Sequence, residues 1–332
     1  MSKRDVLVGS FAVAAISYLG FPTTAQSATA SDGEKDIAKA KSAILSKDYP
    51  TALKLLKPLA EEKGMRPAEY HLALMYFNGE GVPKDPKKAA ELFQKAADQG
   101  GPHAAYDLGL LYAKGEGVPQ DSQKAFGLFK KAADLGDADA QRNIGILYLY
   151  GDGTKQDSKE AAKYFQLAAD KGNVEAQYNL ALLDLRSKEK GKAFKLLQNL
   201  ATNGFAPAQC NFGLMYLNGD GVPKDAKLGA TWITKAANSG NLEAQFNLGV
   251  LYHNGEGVAK DEKQSLSWLR KAADKGHPDA QFNIGLAYER GTGVAKDESE
   301  AKEWFKKAAE QGDKEAKQKL AALDHAASST AK

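Results

Sequence analysis

Cysteine is nearly absent from this 332-residue chain: Cys210 is the single one, so no intramolecular disulfide can form. Histidine is scarce as well. His71, His103, His253, His277 and His325 show neither the paired helical spacing nor the Cys/His spacing of a metal site. There is no Gly-x-Ser-x-Gly elbow, and no glycine-rich loop carries the Lys-Ser/Thr pair that cradles phosphate. An excess of one charge is missing too. The 45 basic and 42 acidic residues leave a net +3 without a basic stripe, which argues against nucleic acid as a partner. The one long apolar stretch, from Val6 to Phe21, is shorter than the ~20 residues a membrane-crossing helix needs. These absences leave no candidate catalytic residue, metal ligand or cofactor site, and the chain reads as non-enzymatic.

What the sequence has is repetition. Seven segments align on a first-helix alanine at Ala68, Ala104, Ala140, Ala176, Ala208, Ala244 and Ala280, spaced by 36 residues except for 32 between Ala176 and Ala208. A fixed period in this range marks a solenoid, whose units bury their apolar faces only against one another. Apolar or small residues stand at offsets 0, 4, 5, 7 and 8 from that alanine, as in Ala244, Leu248, Gly249, Leu251 and Tyr252, a 3.6-residue stripe that predicts an amphipathic helix. Glycine at offset 5 (Gly109, Gly145, Gly213, Gly249, Gly285) sits inside the stripe, where close helix–helix approach is its expected role.

A Gly-x-Gly-Val turn follows, as at Gly79 to Val82 and Gly255 to Val258. Its first glycine suits a left-handed helix end, and the second is expected to relax the loop. Asp85, Asp121, Asp157, Asp225, Asp261 and Asp297 then precede a second helix as N-caps, and Lys-Ala-Ala-x-x-Gly variants end it. Trp232, Trp268 and Trp304 fall seven residues after the capping aspartate, where Leu92, Leu128 and Tyr164 stand in earlier copies. One register shared by these residue types predicts a packing position.

The Ala-Gln-x-Asn-Leu-Gly-x-Leu-Tyr run, the Gly-x-Gly-Val turn and the Lys-Ala-Ala-x-x-Gly close resemble the Sel-one-like repeat, a relative of the tetratricopeptide repeat, over Pro67 to Gly312. The resemblance implies an all-α, right-handed α-solenoid of antiparallel helix pairs. It also implies an adaptor, receptor or regulator that binds protein. Some exported members of the family staple each repeat with a cysteine pair, which this chain lacks. That branch also suggests a β-lactam or cell-wall hydrolase, for which Ser187-x-x-Lys190 is the one formal motif, without its Ser-Asp-Asn and Lys-Thr-Gly partners.

Outside the repeats, Lys3 and Arg4, the apolar stretch and the small residues after Pro22 match a secretory signal over 1–30, with Ala25 or Ala30 as cleavage site. The expected compartment is therefore periplasmic or extracellular. Residues 34–66 read as a tetratricopeptide-like capping helix pair, 67–312 as the seven repeats, 313–327 as a capping helix and 328–332 as a disordered tail. The fourth copy, 176–204, has lost four residues and its glycine turn, either as a hinge or as a tolerated deletion.

Subtracting the framework leaves offsets 2, 3, 9 and 10 of each first helix, which the resemblance to tetratricopeptide repeats implies face a concave groove. Tyr70, Tyr106, Arg142, Tyr178, Phe246 and Phe282 hold offset 2, and Asn143, Asn179, Asn211, Asn247 and Asn283 hold offset 3. His253, Glu289 and Arg290 stand among the variable positions at offsets 9 and 10. An aromatic row beside an amide row suits an extended peptide, the amides bonding its backbone and the rings holding its side chains. The same rows would equally brace neighbouring helices. His103 and His277, in inter-repeat turns, are expected in solvent. The expected partner is a protein or peptide bound by a monomer of the cell envelope, with wall glycan as an alternative ligand.

Overall fold

The computed structural model describes residues 31–330, so the expected signal segment lies outside the described residues. Seventeen α-helices and no strand occur among the described residues. Helices α1 (Asp32–Leu45) and α2 (Tyr49–Glu61) form the first pair. Seven pairs follow: α3 (Arg66–Asn78) with α4 (Pro86–Asp98), α5 (Pro102–Lys114) with α6 (Ser122–Asp134), α7 (Ala138–Tyr150) with α8 (Ser158–Asp170), and α9 (Val174–Arg186) with α10 (Lys190–Thr202). The series continues with α11 (Ala206–Asn218) and α12 (Ala226–Asn238), α13 (Leu242–Asn254) and α14 (Glu262–Asp274), and α15 (Pro278–Arg290) and α16 (Glu298–Glu310). Helix α17 (Lys314–Thr330) is the last described helix and runs past Ala327, where the capping helix was expected to end. Ala326-Ala327-Ser328-Ser329 contains neither glycine nor proline, so nothing in it stops a helix.

Helix ends follow the local chemistry. Six first helices end on a left-handed glycine, among them Gly79 at φ 77° and Gly255 at φ 71°. In every repeat but the fourth, where Glu189 precedes α10 without a cap bond, an aspartate before the second helix accepts from its first turn, as Asp85 does from the Lys88 N–H at 2.9 Å and Asp261 from the Gln264 N–H at 3.0 Å. The short fourth repeat turns without glycine. Lys188 takes the left-handed conformation at φ 63°, as Lys47 does at φ 61° between α1 and α2.

Glycine contacts set the spacing within a repeat. A Cβ on Gly145 would stand 2.6 Å from the Phe165 ring, one on Gly285 2.6 Å from the Phe305 ring, and one on Gly249 2.7 Å from Leu269 Cγ. The offset-5 glycine thus admits a large side chain from its own second helix, eight residues after the capping aspartate. Phe93, Phe129, Phe165, Ile233 and Phe305 at that register are all at most 1 % exposed. Trp304 one residue earlier is also buried, but Trp232 and Trp268 are half-buried. Lys235 and Lys271 cover them, with Nζ 4.2 Å and 3.6 Å from the ring centres.

The second loop glycine does more than relax its turn. A Cβ on Gly257 would lie 2.1 Å from the Ala226 carbonyl oxygen, and one on Gly153 2.4 Å from the Ser122 oxygen. Each loop therefore rests on the first turn of the preceding repeat's second helix, an approach that only glycine permits.

The chain divides into two compact units, residues up to 177 and residues from 178, at a point inside α9 of the short repeat. In the first, Leu56, Leu72, Phe93, Leu108, Phe129 and Ile144 belong to one buried cluster. In the second, buried residues gather repeat by repeat around Phe212, Ile233, Leu269 and Phe305.

Gly257→Ala should lower the melting temperature, combining about 1–3 kcal/mol of left-handed strain with overpacking against Ala226. Gly127, inside α6 with nothing within 4 Å of a Cβ, is the control. Gly127→Ala should stabilise by about 0.5–1 kcal/mol. Thermal unfolding followed by circular dichroism checks both signs.

Candidate functional site

The rows at offsets 2 and 3 meet each other across successive repeats. Tyr70 donates its hydroxyl to Asp107 Oδ2 at 3.0 Å, and Asn143 Nδ2 donates to the Tyr106 hydroxyl at 3.1 Å. Asn211 Nδ2 reaches the Tyr178 hydroxyl at 2.7 Å, and Asn247 Nδ2 lies 3.8 Å from Cys210 Sγ. This ladder corrects part of the groove expectation. Tyr106, Arg142 and Asn143 are 2 %, 6 % and 3 % exposed, so they brace helices and are closed to a partner. Arg142 also pairs with Glu175 at 2.8 Å. Asn179 is half-buried, and Phe282 packs on Phe305 with ring centres 5.6 Å apart. Glu289 is held by Lys319 of α17 at 2.8 Å and so fastens the terminal helix.

His277 is buried and not in solvent. Its Nδ1 accepts the Ala280 N–H as the N-cap of α15, Nε2 faces Glu243 at 3.3 Å, and its ring stacks on Phe246 at 4.6 Å. His103 is likewise engaged, Nδ1 lying 2.8 Å from the buried Asp137 carboxylate.

Three expected residues do converge. His253, Asn283 and Arg290 border an open pocket of about 120 Å³ between α13, α14 and α15. Val250, Leu266, Leu269 and Leu286 supply its apolar lining, and Glu262 and Ser265 its polar side from the second helix. His253 Nδ1 lies 2.8 Å from Glu262 Oε2, and Lys260 Nζ lies 3.1 Å from Oε1 of the same carboxylate. Burial acts to raise the Glu262 pKa, but hydrogen bonds from His253 and Lys260 and their charge outweigh it, so the carboxylate stays ionised below its ordinary range. Its charge is met inside the pocket wall, while Arg290 stands exposed at the rim. An apolar slot with a few polar groups at its edge is suited to one aliphatic side chain and its flanking amides.

The second-helix wall is not evident from the sequence, because Glu262, Leu266 and Leu269 follow the pattern of a framework helix. A signal was present: Ser265 is buried at 3 % where the other repeats carry Ala89, Ala125, Ala161, Gly229 and Ala301. No group of His, Cys, Asp or Glu among the described residues could hold a metal ion. The formal Ser187/Lys190 motif is not assembled. The Ser187 hydroxyl donates to the Leu183 carbonyl at 3.0 Å, and Lys190 pairs with Asp220.

The Sel1 repeat model matches seven consecutive segments, 66–101, 102–137, 138–173, 174–205, 206–241, 242–277 and 278–313. The chain belongs to the Sel1 repeat family. Two solved structures agree with this all-α solenoid. A protective antigen of uropathogenic Escherichia coli with an SLR fold is 32 % identical at TM-score 0.66, covering 86 % of this chain and 67 % of that one. A Sel1 repeat protein of Oxalobacter formigenes is 28 % identical at TM-score 0.69, covering 97 % of this chain and all of its own. No curated protein matches the chain. As Sel1 repeats, the seven copies belong to a class that generally serves as protein-interaction scaffold.

The ladder yields a pH-dependent prediction. Burial pushes the Asp107 carboxyl up to about 7, against the lowering by the Tyr70 hydroxyl bond. A carboxyl with a folded pKa above its unfolded value is a liability when ionised: the penalty is absent below the unfolded pKa, grows with pH and levels off above about 7. Asp107→Asn, which installs the residue found at offset 3 in five other repeats, should therefore raise the melting temperature at pH 8. The gain should shrink as pH falls below 7 and vanish near pH 4, as thermal melts across that range would show.

Proposed function

We propose that this Sel1 repeat protein is a non-enzymatic scaffold or regulator of the cell envelope, acting as a monomer that binds a protein or peptide along the face of its first helices. The observation that carries the reading is the pocket where His253, Asn283 and Arg290 come together over Val250 and Leu286. His253 and Arg290 stand at positions that vary between repeats, whereas Asn283 keeps the residue of its row and the invariant framework positions are consumed by packing and helix termination. A recognition surface is expected to have that distribution in a solenoid, since each repeat contacts only its neighbours and rim residues can change without loss of the core. No described helix is long and apolar enough to cross a membrane. The envelope assignment rests on the signal-like pattern of Lys3, Arg4 and the stretch from Val6 to Phe21.

Affinity capture from an envelope extract tests the reading. The wild-type chain should retain a protein partner that the Asn283→Ala/Arg290→Ala double variant retains at least about tenfold less well, the ~1.4 kcal/mol or more expected of central interface contacts. Equal capture by a double variant with an unchanged melt would remove the pocket from the interface.

A further inference from the structure

Two residues that break the repeat pattern meet at the pocket between α13, α14 and α15. Ser265 stands four residues after the residue preceding its second helix, where the other repeats carry Ala89, Ala125, Ala161, Ala193, Gly229 and Ala301. Thr292 is the middle residue of its Gly-x-Gly turn, where the other turns have Glu80, Glu116, Asp152, Asp220 and Glu256. The two come from different repeats, yet both line this one pocket and both place a hydroxyl where the pattern has none.

The change at Thr292 resets the local charge. In regular turns a lysine reaches the acid of the next turn, as Lys84 does Glu116 at 3.3 Å and Lys224 does Glu256 at 3.1 Å. Lys260 holds the same register, but the next turn offers Thr292 and no acid. Lys260 pairs instead with Glu262 at 3.1 Å, while His253 lies 2.8 Å from the other oxygen of that carboxylate. The charge in the pocket wall is thereby answered from within the chain. A charged group entering the pocket would meet no free counter-charge at its floor.

Ser265 and Leu269 are the buried lining residues and form that floor. Ser265 is 3 % exposed, and its hydroxyl makes no hydrogen bond among the described residues. Hydroxyls on the neighbouring second helix turn back on their own backbone: Thr231 and Thr234 donate to the carbonyls four residues earlier at 2.9 Å and 2.8 Å. Ser265 Oγ does not, and it is not sealed in the core but borders the pocket. Polar groups in such surroundings are normally satisfied, so the partner of this hydroxyl must come through the pocket.

We propose that Ser265 is the specificity-determining residue of this pocket and selects a threonine side chain of the bound peptide. The threonine hydroxyl would share a hydrogen bond with Ser265 Oγ, and its methyl would lie against Val250 and Leu286. A carboxylate or ammonium tip lacks a counter-charge here. An amide tip brings more donors and acceptors than one hydroxyl can satisfy. Valine has the shape of threonine but would leave Ser265 unpaired. The inference rests on the peptide-binding reading above and names the side chain that the pocket takes.

The test selects a phage-displayed heptapeptide library on the full chain and on Ser265→Ala, which installs the residue that five other repeats carry at this register. Peptides enriched on the wild type should share a threonine. Replacing it by valine should weaken binding at least about fivefold, as loss of one net hydrogen bond implies. On Ser265→Ala the same replacement should change binding by less than about twofold, because the coupled partner is gone. Thermal melts separate recognition from structure. An unspent hydroxyl burdens the fold, so Ser265→Ala should melt at or above the wild-type temperature, and a lower melt would overturn the proposal by making Ser265 structural. Enriched peptides without a shared threonine, or an equal loss with valine on both proteins, would overturn it too. If those peptides still depend on Arg290, only the choice of side chain falls. A library that yields no peptide on either protein would remove the peptide reading as well.

Discussion

The distance between the two helices of a repeat governs the rest of this fold, and glycine sets it. At Gly145 and Gly285 the missing side chain leaves room for the ring of Phe165 or Phe305, which then lies fully inside the pair. Glycine in a helix costs about 1 kcal/mol against alanine, whereas burying a phenylalanine contributes about 1.5–3 kcal/mol. Burial wins, and Gly109 with Phe129, Gly213 with Ile233 and Gly249 with Leu269 repeat the exchange, whereas the repeats of Phe93 and Leu197 carry Ala73 and Ala181 at the glycine position. The loop glycines repeat the arrangement between neighbours, with Gly257 on Ala226 and Gly153 on Ser122. Packing within a repeat and docking between repeats thus share one device.

Recognition is confined to what this framework leaves over. The tyrosine and asparagine rows join repeat to repeat, as Asn143 does with Tyr106, and are largely unavailable to a partner. Openings occur where the ladder changes. In the seventh repeat, Asn283 bonds its own helix at the Asp279 carbonyl and borders the pocket with His253 and Arg290. At the start of α3 and α5 no side chain caps the helix, whereas Asp137, Asn241 and His277 cap α7, α13 and α15. Because a solenoid draws stability from nearest neighbours, such departures alter the surface locally and leave the remaining interfaces intact.

The helical stripe, the capping aspartates and the left-handed glycines were legible in the sequence because each depends on residues within a few positions of one another. The role of the second loop glycine was not, since Gly153 answers to Ser122 in the preceding repeat. Spacing placed the aromatic and amide rows correctly on one face but could not decide between a partner and a neighbour, as the two uses need the same side chains. His277 was misjudged as solvated because a histidine in a turn gives no sign that its ring will cap α15 and stack on Phe246. The pocket was half legible: His253 and Arg290 stood out by variation and Asn283 by its row, whereas Glu262 and Leu266 come from a helix whose pattern reads as framework.

The contact between Gly145 and Phe165 can be isolated by a double-mutant cycle on thermal and denaturant unfolding, using Gly145→Ala, Phe165→Leu and the pair. If glycine is present to admit the ring, the two substitutions are strongly coupled. The double variant should then be more stable than the sum of the single losses by at least about 1 kcal/mol. Additivity within about 0.5 kcal/mol would show that the glycine and the ring act independently, and would contradict the account of how the repeats are held together.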